Sequence, residues 1–332
     1  MRFLLDTEQR AFAASLDAML TSADTPSVVR AWATGDHAPG RALWSRLAGA
    51  GVFALAVPGA YDGVGPLPVE LAVAFVELGR HGVPGPLVET VAAAALLSGL
   101  DESGPAKRLL PSLASGETMA TVALPGGGTY VLDGDVADVH LTVRAATSAT
   151  AGLHLTPTPV GASSAPRASL DPARRLVLPH SGGELLAAGP HVARAAAHAL
   201  IWARLATAAQ ALGVGLALLD RTVGYVKQRR QFGVPVGSFQ AVKHRLADAL
   251  IGLEFARPLL FGAALSMAPA HVAAAKVAAC EAAYVAARTA LQLHGAVGYT
   301  DEYDLSLWLT KARALRAAWG TPAACRAEVL CG

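Results

Sequence analysis

Two stretches decide how this chain is read: Tyr225-Val-Lys-Gln-Arg-Arg-Gln-Phe-Gly233 and Gln292-Leu-His-Gly-Ala-Val-Gly-Tyr-Thr300. The first runs on to Phe239-Gln240 and Leu246-Ala-Asp248, the second to Glu302-Tyr303. Between them, Phe239, Val242, Leu246, Leu250 and Leu253 recur at steps of three or four, with Lys243, Arg245 and Asp248 interspersed. Ala273, Val277, Cys280, Tyr284, Ala287 and Leu291 repeat that spacing, the period of one helix face. Upstream, Leu205 to Leu219 is a run of fifteen uncharged residues bounded by Arg204 and Asp220. A membrane span needs about 20 apolar residues, so this run predicts a buried core helix. From about Gly189 onward, long helices of small apolar residues joined by short breaks predict an antiparallel helix bundle.

The pattern changes on moving toward the N-terminus. Thr121 to Leu124, Tyr130 to Leu132 and Val139 to Val143 are short runs of β-branched and apolar residues. Asp133-Gly134 lies between two of them and predicts a hairpin turn. Three prolines between Thr156 and Pro166 predict a loop or an edge. Earlier still the helical period returns. Asp6 and Gln9 predict a capping box ahead of Phe12, Leu16 and Leu20, and Pro/Gly pairs such as Pro39-Gly40 and Pro58-Gly59 divide the zone into several helices. The expected organisation is a helical domain over 1–110, a small β domain over 111–185 and a helix bundle over 186–332.

Composition narrows the function classes. The 332 residues are 53% apolar and 16% charged, which argues against disorder. Mean hydropathy is +0.40, much of it alanine. Such a balance suggests surface covered by another subunit, or simply an alanine-rich source. Net charge is +2 with dispersed basic residues, so neither nucleic acid nor a membrane surface is an expected partner. Cys280, Cys325 and Cys331 form no C-x-x-C pair, and no metal site or disulfide framework is expected. Asp6 and Glu8 sit where a signal peptide would be apolar, so a reducing cytoplasm is the expected compartment.

The two opening stretches resemble the acyl-CoA dehydrogenase family, in which an R-x-x-F-G stretch lies about sixty residues before a Q-x-x-G-G-x-G stretch. Lys276 between them and Asp171-Pro-Ala-Arg174 at the end of the β zone also look like that family, as does the order of the three zones. The resemblance implies an α+β, mainly α fold: an N-terminal helical domain, a small reduced β domain and a C-terminal four-helix bundle. It also implies FAD. A planar guanidinium such as that of Arg229 suits a diphosphate, Phe232 offers a face for adenine, and Gln240 and Gln292 suit the ADP polar groups. Gly295 permits close backbone approach. In the family these groups hold the ADP half of a neighbouring subunit's FAD, a role that falls here to Arg229, Gln231, Phe232, Gln240, Gln292 and Gly295. Ala296 replaces the family's second glycine.

The reaction of the family removes the α-proton of an acyl-CoA, and a desolvated carboxylate serves as base. In many members that glutamate precedes a Gly-Thr pair. Here Gly320-Thr321 follows Trp319, and an indole accepts no proton. Other members carry the glutamate beside an arginine on the first long bundle helix, a position that corresponds to Ala203, next to Arg204. Arg204 is either a remnant of the substrate region or part of a structural ion pair, and the structural role is the expected one. The family's flavin-ring motifs, a T-E-P-x-A-G-S-D-like loop and a W-I-T-like strand, are replaced by Val122-Ala-Leu-Pro-Gly-Gly-Gly-Thr129 and Asp135-Val-Ala-Asp138.

These departures give no catalytic residue on this chain and resemble the non-catalytic subunit of an actinobacterial α2β2 acyl-CoA dehydrogenase. The expected partners are a second subunit carrying the catalytic glutamate, an acyl-CoA and an electron-transferring flavoprotein, with FAD shared. The rival readings are a homomeric enzyme whose base has moved to Asp301, Glu302 or Glu254, a flavin monooxygenase on the same fold, and a scaffold that has lost flavin. Glu254 lies near Arg257 and suits a surface ion pair. His294, with no second histidine at ligand spacing, suits a helix-end hydrogen bond.

Overall fold

The computed structural model describes residues 4–145, 147–156, 165–180 and 182–331. Helix α1 (Thr7–Thr21) starts at the expected capping box: the Asp6 carboxylate accepts the Gln9 N–H at 2.8 Å, and the Gln9 side chain accepts the Asp6 N–H at 3.1 Å. Two otherwise unmet donors are thus satisfied reciprocally. Leu16 and Leu20 are buried, and α1 packs on α4 (Pro68–Arg80). Helices α2 (Thr25–Thr34), α3 (Ala38–Gly49), α5 (Leu87–Ser98) and α6 (Ser103–Ala114) complete this layer. Helix α6 continues four residues past the zone boundary expected at residue 110.

Strands β1 (Ala120–Ala123), β3 (Val139–Arg144), β4 (Gly152–Thr156) and β6 (Glu184–Ala188) form one sheet in the order β1-β3-β4-β6. β1 runs parallel to β3, while the other two pairings are antiparallel. β2 (Val131–Leu132) pairs instead with β5 (Leu176–Val177). The hairpin expected at Asp133-Gly134 is therefore not formed. The turn exists, with Asp133 at φ +51, but its N–H donates to the Arg175 carbonyl at 2.7 Å and its carboxylate accepts the Trp32 indole N–H at 3.1 Å. Distant partners bind this turn and lead the chain away from a local pairing. Most of the proline-rich loop expected over Thr156 to Pro166 lies outside the described residues.

Helices α7 (Pro190–Gln228), α8 (Gln240–Ser266), α9 (Pro269–His294) and α10 (Leu305–Ala317) form the bundle, and α11 (Pro322–Cys331) packs on α9. Helix α7 is the core: residues 202–219 are buried, and it touches α4, α5, α8, α9 and α10. Small residues make this possible. A Cβ on Gly213 would sit 1.9 Å from the Val76 carbonyl oxygen, and one on Gly79 would sit 2.1 Å from that of Gln210, so α4 and α7 meet backbone to backbone.

Helix α8 differs from its expected orientation. Of the residues expected on its buried face, Leu253 is buried, whereas Phe239 precedes the helix and Leu250 is exposed. Its inner face is Ala249, Leu253, Ala256, Leu260 and Ala263, and large apolar side chains of Ile251, Phe255, Leu259 and Leu265 point outward. Both α7 and α8 are long and apolar enough to cross a membrane by length and composition; α7 is instead packed inside the bundle, and α8 shows one apolar face.

Candidate functional site: an open rim and a sealed cleft

Where α7 ends, Arg229 turns the chain. Its N–H donates to the Tyr225 carbonyl and its own carbonyl accepts the Val236 N–H, both at 2.8 Å. β7 (Arg230–Gln231) then pairs with β8 (Val234–Pro235) across Phe232 and Gly233, at φ +53 and +82. Two consecutive positive φ values suit the twist of a two-residue hairpin, but a bulky residue rarely adopts one. The strain exposes an aromatic ring: Phe232 is 92% exposed, its ring edge-on to Phe239 at 6.4 Å. Arg229, Gln231 and Gln240, the first residue of α8, are exposed beside it.

Gln292 is exposed in the last turn of α9, and Gly295 follows at φ +64 with no atom within 4 Å of its would-be Cβ. The two motifs share one end of the bundle because Tyr225 stacks on His294 at 4.1 Å and donates to its carbonyl at 3.4 Å. His294 itself donates from Nδ1 to the Ala290 carbonyl at 2.8 Å, the helix-end bond expected for it, and burial lowers its pKa. All six residues singled out in the sequence thus lie on one solvent-facing rim, and among the described residues no hydrogen bond joins any two of them.

The second region lies in the interior. Arg204, the neighbour of Ala203, reaches Trp319: its Nε–H donates to the Trp319 carbonyl at 3.1 Å. Trp319 has φ +57, and the next carbonyl, that of Gly320, accepts from buried Lys276 at 2.7 Å. Two buried cations thus hold a strained tryptophan in place. Its indole is 6% exposed and lies against the loop after β1, so closely that a Cβ on Gly127 would meet the ring at 2.8 Å. The indole fills the space next to that loop.

Two carboxylates here escaped the sequence reading. Glu328 on α11 forms an ion pair with Arg204, which bears out the structural role expected for that arginine. Glu89 on α5 is 3% exposed, with its pKa raised by burial against opposing effects of Arg174 and the Trp319 indole. The adjoining cavity offers about 10 Å³, room for roughly one water and far too little for an acyl group. Glu89 is the one charge in an otherwise apolar helix, a signal that could have drawn notice. Of the relocated-base candidates, Glu254 pairs with Arg257 at 3.3 Å, and Asp301 and Glu302 are exposed.

Models of the N-terminal and C-terminal domains of acyl-CoA dehydrogenases match residues 6–117 and 193–329. The acyl-CoA dehydrogenase IpdE2 of Mycobacterium tuberculosis is 36% identical over 289 residues, covering 86% of this chain and 85% of that protein. The chain belongs to the acyl-CoA dehydrogenase family. Among solved structures, the Tcur3481-Tcur3483 steroid ACAD (G363A variant) superposes with a TM-score of 0.85 at 28% identity, covering 97% of this chain and 96% of that one. The ChsE4-ChsE5 complex from Mycobacterium tuberculosis does so at 0.83 and 25%, covering 99% and 98%.

Members of this acyl-CoA dehydrogenase family are FAD oxidoreductases, and the two regions fit that cofactor unequally. The rim offers a guanidinium, that of Arg229, with no ion pair among the described residues, an exposed aromatic ring and a glycine with open space around it, a set suited to a nucleotide diphosphate. The cleft offers little room beside the loop after β1, where the Trp319 indole is packed against Gly127.

Proposed function

We propose that this chain is the subunit without a catalytic base in a heteromeric, FAD-dependent acyl-CoA dehydrogenase, and that it completes the cofactor site of a partner subunit. The observation that carries the reading is Trp319, held by Arg204 and Lys276 and packed on Gly127 where the family has a base and a flavin ring. A carboxylate supplied by the partner takes the α-proton of an acyl-CoA. FAD, when bound, would supply the acceptor for the β-hydride, and the product would be a trans-2-enoyl-CoA. The two electrons leave to an electron-transferring flavoprotein.

On this reading Arg229, Gln231, Phe232, Gln240, Gln292 and Gly295 hold the ADP half of the partner's FAD. The outward apolar face of α8, with Ile251, Phe255, Leu259 and Leu265, favours an assembled state, since a patch of this kind is costly in water. The steroid ACAD and the ChsE4-ChsE5 complex, both described as pairs of proteins, support a heteromer, and the first supports a steroid-derived acyl-CoA as the substrate class.

The test is anaerobic reduction of bound flavin by an acyl-CoA. The pair formed with a base-bearing subunit is expected to bleach, and to stop bleaching when that subunit's glutamate becomes glutamine. Bleaching by this chain alone would refute the proposal.

A further inference from the structure

The joint between α1 and α4 holds a cluster of side chains that neither the rim nor the cleft uses. Glu77 in the last turn of α4 and His81, which caps that helix, are four positions apart and share one face. Helix α1 lays Asp17 against this face, with His81 Nε2 at 2.8 Å from Asp17 Oδ1. One ligand atom from each of Asp17, Glu77 and His81 lies within 4.8 Å of the other two.

The Asp17–His81 ion pair accounts for two of these groups and leaves the third unmet. The Glu77 side chain is only 14% exposed, and its carboxylate accepts no hydrogen bond among the described residues. The cation beside it, Arg80, has its Nε at 3.6 Å, beyond hydrogen-bond reach, and the same guanidinium donates to Asp220 at 3.2 Å. Burial raises the Glu77 carboxyl to about 7, with Arg80 and Arg257 opposing the rise and Asp17 adding to it. A half-desolvated carboxylate without a donor is costly, and a bound cation relieves it.

One imidazole with two carboxylates is a donor set for a borderline ion such as zinc, whereas calcium and magnesium take oxygen ligands alone. Tetrahedral zinc, with bonds of about 2.0–2.1 Å, needs ligand atoms about 3.3 Å apart. Side-chain rotation supplies that closure, since Asp17 is 52% exposed and free to turn inward. We propose that Asp17, Glu77 and His81 form a zinc site, three protein ligands with water completing the shell, that staples α1 to α4. The Gln9 side chain already donates to Glu70 at 2.9 Å at the other end of the same joint. Because α4 packs backbone to backbone on α7, the metal would couple the first helix to the core.

The test uses the full chain, stripped with a chelator and titrated with Zn(II) in a calorimeter. A Cys331→Ser background removes the exposed thiol as a competing ligand. One Zn(II) per chain and a rise in Tm of a few degrees are expected. Glu77→Gln keeps the Asp17–His81 pair and should weaken zinc binding by more than about tenfold, since loss of a group that only orients a metal ligand costs about 10–100-fold. His81→Gln should do the same, and both variants should lose the zinc-dependent rise in Tm. Should either fail to fold, Asp17→Asn at a half-exposed position provides the same comparison. Zinc held as tightly by Glu77→Gln as by the parent overturns the proposal, and so does the absence of saturable binding.

Discussion

The rim and the cleft carry the same kinds of side chain under opposite conditions. In the cleft, Arg204, Lys276 and Lys311 are buried and each has a partner inside the chain: Glu328 and a carbonyl, two carbonyls, and Asp171 at 3.0 Å. On the rim, Arg229, Arg245 and Arg288 are exposed with no such partner among the described residues. Both regions hold an aromatic residue at positive φ, but Trp319 is packed inward and Phe232 outward. The cleft's charges are paired within the chain, while those of the rim face solvent. Changes in the cleft should therefore move folding, and changes on the rim should move cofactor binding.

The largest effect is expected at the Asp171–Lys311 pair, which ties the β layer to α10. Asp171→Ala strands a buried ammonium and should cost about 3–5 kcal/mol in urea unfolding. Trp319→Ala should cost about 3 kcal/mol through the cavity it leaves, without giving the chain acyl-CoA-dependent flavin reduction. If this variant gained that activity, the division between the regions would fail.

Arg229→Ala should leave the unfolding midpoint alone and weaken FAD binding by the co-expressed pair about tenfold or more. Asp133 sharpens the interior half of the comparison. Burial pushes its carboxyl up to about 8 from an ordinary 3.8, so the native chain keeps a proton that the unfolded chain releases. Stability should then fall as pH rises across that window and level off above it. Asp133→Asn, which tolerates positive φ, should raise Tm by a few degrees near pH 8 and by little near the ordinary carboxyl pKa. Phe232→Gly should be smallest: relief of backbone strain changes stability by roughly 1 kcal/mol or less, in the stabilising direction, while FAD affinity falls.

Local signals were read well from sequence. The Asp6–Gln9 cap and the buried run in α7 depend on neighbours in the chain, and each appears where the pattern puts it. What was misread depends on distant contacts. Asp133-Gly134 has the composition of a hairpin, but Arg175 and Trp32 claim it. Helix α8 is apolar on two faces, and periodicity alone does not say that alanines turn inward while Phe255 and Leu259 turn outward. That an indole stands before Gly320-Thr321 could be read at Trp319; that it rests on Gly127 and that Glu328 reaches Arg204 could not, because those partners lie far along the chain.

The central claim, that this chain binds flavin only as half of a site, is tested most directly by the FAD stoichiometry of the purified protein, alone and co-expressed with a base-bearing acyl-CoA dehydrogenase subunit. The account predicts a colourless chain alone and one FAD per pair on co-expression. Stoichiometric FAD on the lone chain would contradict it.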